Sequence, residues 1–164
     1  MSNQPFQAPD SKELATITEY LLTGGTLAEA NQMSEKALES IYAYGYNQYQ
    51  IDHFEEAARI FQYLCFYDHW NARNFLCLGS CQMMLRTYGQ AIKTFEYAAR
   101  MDISNPLAKV YMGDCYLALK ERGIAEVVYK SALKDASKYQ FTHLELKRVE
   151  SLLQTFEDEQ GGQS

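Results

Sequence analysis

Apolar residues recur at steps of three and four through most of this 164-residue chain, the spacing that gathers them on one face of an α-helix. The pattern predicts six amphipathic helices in its middle, over about 38–50, 54–67, 72–85, 88–101, 106–119 and 122–135. No window approaches about 18 consecutive apolar residues, so no membrane-spanning helix is expected. The expected class is all-α.

The helices come in pairs, and the pairs repeat. Gly45, Gly79 and Gly113 are 34 residues apart, and the same step joins Ala57, Ala91 and Ala125, then Phe61, Phe95 and Tyr129, then Leu64, Ala98 and Ala132, with Asp68 and Asp102 closing the first two units. Glycine in the first helix and alanine in the second let two backbones approach closely, and the aromatic ring fills the space beside the contact. Asn105 before Pro106 is a good helix start, because asparagine caps free amides and proline at the first helical position loses no needed donor. Small residue, glycine, alanine, aromatic, alanine and aspartate at this period resemble the tetratricopeptide repeat, and three units are expected over about 38–71, 72–105 and 106–137. Phe54 and Tyr88 supply the aromatic that opens the second helix, but Arg122 stands there in the third unit, which is therefore expected to pack loosely.

The flanks read as caps on a single domain spanning 10–157. Residues 1–9 carry no fold signal and are expected to be disordered. Asp10 is placed to cap a helix running to about Leu22, Gly24 and Gly25 end it, and Thr26 with Glu29 has the spacing of a capping box for the next. Leu144, Val149, Leu152, Leu153 and Phe156 form a stripe suited to a capping helix over about 141–157, with a disordered tail at 158–164.

The segment YAYGYNQYQ concentrates tyrosines. Tyr42, Tyr46 and Tyr49 fall at i, i+4 and i+7 and share a helical face, while Ile41, Tyr44 and Gln48 lie near the Gly45 face that meets the second helix. The opposite face lines the concave groove in stacked repeats. One and two periods later it holds Leu76, Ser80 and Met83, then Val110, Asp114 and Leu117. The three rings either bind a ligand there or pack against the chain's own N-terminal helices. Tyr63 and Tyr67 likewise either form an exposed self-association surface or lie under the next helix.

Composition narrows the chemistry. A net charge of −6 with scattered basic residues argues against nucleic-acid binding, which depends on clustered Lys and Arg. Cys65, Cys77, Cys81 and Cys115 sit in helix-like segments and are expected to be reduced, with a cytosolic address. Cys77, Cys81 and His69 lack a fourth ligand at a recognised spacing, so no metal is expected. No nucleophile motif accompanies His53, His69 or His143, and no glycine loop could cradle phosphate; neither an enzyme nor a cofactor is expected.

The run from GGTLAEANQ through YNQYQ, FQYLC, YDHWNARNF and LGSC is similar to the class II chaperones of type III secretion systems, which serve hydrophobic translocator proteins. The resemblance implies a cytoplasmic bacterial chaperone of three repeats that holds an extended N-terminal translocator segment in its concave groove until secretion. It also implies a homodimer when free, for which Tyr63 and Tyr67 are candidates, and as an alternative a regulatory adaptor that binds a transcription activator once its client has left. In that family the aromatic positions of the first repeat helix face the peptide, and Tyr42, Tyr46 and Tyr49 fall on them; Leu76, Met83, Val110 and Leu117 join by periodicity. Tyrosine suits the task, since its ring offers a large apolar face with little rotamer entropy to lose and its hydroxyl can satisfy a peptide backbone.

Overall fold

A computed structural model describes residues 11–161, all helix and short turns. The helices are α1 (Ser11–Leu22), α2 (Leu27–Ala30), α3 (Glu35–Gln50), α4 (Phe54–Tyr67), α5 (Ala72–Met84), α6 (Tyr88–Met101), α7 (Leu107–Ala118), α8 (Arg122–Tyr139) and α9 (Leu144–Gly161). From α3 to α8 each helix packs chiefly on its sequence neighbours, and the first helices α3, α5 and α7 also meet one another. This is the quasi-one-dimensional packing of a solenoid.

The 34-residue columns are the packing units. Ala57 and Phe61, Ala91 and Phe95, and Ala125 and Tyr129 are fully buried. A methyl group on Gly79 would come within 2.6 Å of the Phe95 ring, and one on Gly113 within 2.4 Å of the Tyr129 ring. Close approach of the paired helices thus requires glycine at these positions.

The turn inside each unit repeats as well. His53, Thr87 and Glu121 donate backbone N–H bonds to the carbonyls of Gln48, Gln82 and Tyr116, and Asp52, Arg86 and Lys120 donate to Tyr49, Met83 and Leu117. This double closure is the Schellman motif. It sets φ to 61°, 60° and 65° at Asp52, Arg86 and Lys120, a column of left-handed residues with no glycine in it. Between units, Asn71 accepts from the Arg73 N–H and Asn105 from the Leu107 N–H; Asn105 thus satisfies the first amide of α7, with Pro106 at the cap position rather than inside the helix as expected.

At the N-terminal end Thr26 and Glu29 make the reciprocal capping box, and Gly24 takes a φ of 95° in the turn before it. The Asp10 cap and the disorder expected for 1–9 lie outside the described residues. The short α2 rests on α4, and the Trp70 indole N–H donates to the Gly24 carbonyl at 2.9 Å.

The third unit departs from the expected looseness. Its core holds Val110, Ala125, Tyr129 and Ala132 together with Leu146, Val149, Leu153 and Phe156 of α9. Arg122 compensates for the missing aromatic: its guanidinium lies 4.0 Å from the Phe156 ring centroid, pairs with Glu126 and Glu159, and donates to the Phe156 carbonyl. α9 carries Glu159 and continues to Gly161 rather than ending near 157. Within α9 the stripe is shifted from expectation, Leu146 being buried while Leu144 is 77% exposed, because the helix begins only at Leu144, after Gln140 ends α8 in a left-handed conformation.

Candidate functional site

The first helices leave a cleft of about 270 Å³ lined by Tyr42, Tyr46, Tyr49, Phe61, Leu76, Cys77, Ser80 and Tyr111. Four of the seven groove positions expected from sequence, Tyr42, Tyr46, Tyr49 and Leu76, meet there. The described N-terminal helices do not cover it, since α1 packs on α2 and α2 on α4.

Tyr42 is the most constrained of the rings. It stacks parallel to Tyr46 at 6.4 Å, meets Phe61 edge-on at 5.4 Å, and shares a 3.0 Å hydrogen bond between its hydroxyl and the Cys77 sulfur. The Arg73 guanidinium sits 3.5 Å over the ring centroid and reaches the Glu39 carboxylate at 2.8 Å. Burial pushes the Tyr42 phenol well above its ordinary value, and the Cys77 thiol beside it adds to the effect. Burial likewise raises Tyr49 and Cys77, so the cleft is lined by neutral groups at physiological pH. Tyr49 meets Phe54 at 5.3 Å, and Tyr46 remains 45% exposed. The cleft is therefore aromatic and apolar, with hydroxyl and thiol groups able to exchange hydrogen bonds with an extended backbone.

Three expected groove residues lie elsewhere. Val110 is fully buried in the core shared with α9, because the capping helix closes over the position that Leu76 leaves open one unit earlier. Leu117 packs against that same core and Met83 against the core of the second unit. Tyr44, expected toward the partner helix, is 54% exposed; it is Tyr42 that reaches Phe61. Cys77 and Tyr111 take part instead. They stand one residue after Leu76 and Val110 and are themselves 34 apart. In the second unit the lining thus holds Cys77 beside Leu76 and Ser80, and in the third it holds Tyr111 where the period points to Val110.

Beyond the cleft, Asp114 accepts from the Tyr129 hydroxyl at 2.5 Å and from both terminal nitrogens of Arg148, which also meets Glu145 at 2.6 Å. Arg148 lies one period after Asp114, so α9 continues the row begun by Tyr46 and Ser80 and fills it with an ion pair. On the other side of the first unit the Tyr63 and Tyr67 rings are 4.4 Å apart and Phe66 joins Tyr67 at 5.4 Å. Tyr63 and Phe66 are exposed and Tyr67 half-buried. The His69 ring lies 4.9 Å from that of Trp70, tilted at 45°, and among the described residues no group of three or more His, Cys, Asp or Glu could hold a metal ion. No described helix is long and apolar enough to cross a membrane.

Comparison with known proteins agrees with this fold. A tetratricopeptide repeat family model matches residues 38–71. The low calcium response locus protein H of Yersinia pestis is 39% identical over 87 residues, so the match spans about half of that relative, 52% of each chain. A chain of a T3SS complex from Aeromonas hydrophila is 35% identical with a TM-score of 0.82, over 90% of this chain and 98% of that one. The Yersinia enterocolitica type III secretion chaperone SycD, solved in complex with a peptide of the translocator YopD, is 35% identical with a TM-score of 0.71, over 78% of this chain and 98% of SycD.

Proposed function

Since the chain belongs to the class II translocator chaperones of type III secretion, we propose that it binds an extended N-terminal segment of a hydrophobic translocator in the cleft of Tyr42, Tyr46, Tyr49, Leu76, Cys77, Ser80 and Tyr111. The observation that carries this reading is the open aromatic cleft across the first helices of successive repeats. Occupying it with the client's own apolar segment would keep that segment from other partners in the bacterial cytoplasm until export. No catalytic step is part of this reading. Pro, Leu or Val side chains fit between the rings, and the Tyr and Cys groups meet the peptide backbone.

Coexpression should yield soluble translocator only with this chain present. Tyr42→Ala with Tyr49→Ala should weaken client binding by roughly 30-fold or more, since even one buried interface aromatic often contributes about 2 kcal/mol, with helical circular dichroism unchanged. Equal translocator solubility without the chain defeats the proposal, and loss of helicity in the double variant moves the rings from site to core.

Tyr63, Phe66 and Tyr67 support self-association through α4, because contiguous exposed aromatics mark interaction surfaces. Tyr63→Glu should shift the sedimenting mass toward that of a monomer; an unchanged mass removes this face from the interface.

A further inference from the structure

We infer that Arg73 is a positioning residue for the cleft: it fixes the orientation of the Tyr42 ring without itself touching the client. This rests on the reading that the cleft holds the translocator segment. Arg73 is absent from the cleft lining and borders instead a smaller pocket of about 90 Å³ with Ala72, Leu76, Ala98, Asp102, Asn105 and Ala108. Its guanidinium covers Tyr42 at 3.5 Å from the ring centroid, while the ring's edge and hydroxyl are held by Phe61 and Cys77.

Glu39 and Arg73 occupy the same repeat position one period apart, so their 2.8 Å pair is a rung between the first helices of units one and two. Both side chains are about half exposed, at 55% and 51%, and such pairs add little to stability. What the pair does fix is the place of a planar cation on an aromatic face, an attraction that depends on geometry. With the guanidinium gone, one face of Tyr42 is free to turn, and the cleft wall it forms loses its fixed angle.

The test is a calorimetric titration with a synthetic peptide of the N-terminal segment of the translocator that the chain keeps soluble on coexpression. Arg73→Ala should weaken binding roughly 3–10-fold, between what a cation supplies over an exposed ring and over a desolvated one, and Arg73→Lys should recover only part of that loss, because an ammonium cannot stack as the planar guanidinium does. In a Tyr42→Ala background Arg73→Ala should change affinity by less than about 2-fold, because its effect passes through the ring. The same loss in both backgrounds would show that Arg73 contacts the client directly, and no loss on wild-type Tyr42 would show that the ring needs no such support; either overturns the inference. Should Arg73→Ala fail to fold, Glu39→Gln gives the second route, with a smaller loss that must also vanish in Tyr42→Ala. Absence of peptide binding by the wild type overturns the cleft reading itself, an outcome distinct from wild-type binding that Arg73→Ala leaves untouched.

Discussion

Two columns of single residues show opposite demands on a side chain. At Gly79 a methyl group meets the buried Phe95 ring at 2.6 Å, so Gly79→Ala should destabilise by about 1–3 kcal/mol through overpacking. At Arg86 the backbone is left-handed at φ 60°, where a Cβ costs energy that glycine avoids, so Arg86→Gly should stabilise by up to about 1 kcal/mol. Urea midpoints of the two variants should move in opposite directions from wild type. The first column is legible in the sequence, because steric closeness restricts identity and glycine recurs. The second is not: aspartate, arginine and lysine at 52, 86 and 120 share a backbone geometry and nothing in their side chains. The cleft divides in the same way. Tyr42, Tyr46 and Tyr49 are visible as one helical face, whereas a strict period of 34 points to Leu76 and Val110 and passes over Cys77 and Tyr111, one residue later.

Among elements, α9 carries the greatest difference between pattern and structure. Its apolar stripe marks a cap, and Phe156 stands one period of 34 after Arg122, in the column of Phe54 and Tyr88; what the repeat does not mark is that Arg122 covers this ring and pairs with Glu159, 37 residues later and off the period. The partly exposed ion pairs add little by themselves, and the cation over Phe156 adds about 1 kcal/mol. Arg122→Ala should therefore cost about 1–2 kcal/mol and raise amide hydrogen exchange in α9 well before it does so in α3 to α6, since a solenoid transmits loss only to its neighbours. Uniform exchange along the chain would instead indicate that α9 is held by its apolar stripe alone.

For the whole molecule, the buried thiols set a limit in alkaline solution. Burial pushes Cys65, Cys81 and Cys115 from an ordinary value of 9.0 up to about 12. The fold thus favours the neutral thiol, and the stability this contributes is complete below pH 9 and is lost as pH rises toward 12. In the presence of reductant the unfolding free energy from urea titration should fall through pH 9–11, by roughly 1 kcal/mol per thiol per pH unit; a flat profile would contradict the burial of these groups.

Trp70 is the chain's one tryptophan, and its indole is tied to Gly24 at the seam between the N-terminal helices and the repeats. Tryptophan emission, excited at the red edge where tyrosine does not absorb, is therefore a built-in optical gauge of that seam and not of the cleft rings. A client that only fills the space between the tyrosines leaves the signal constant, while any event that lifts α2 from α4 changes it, so one spectrum separates occupancy from rearrangement.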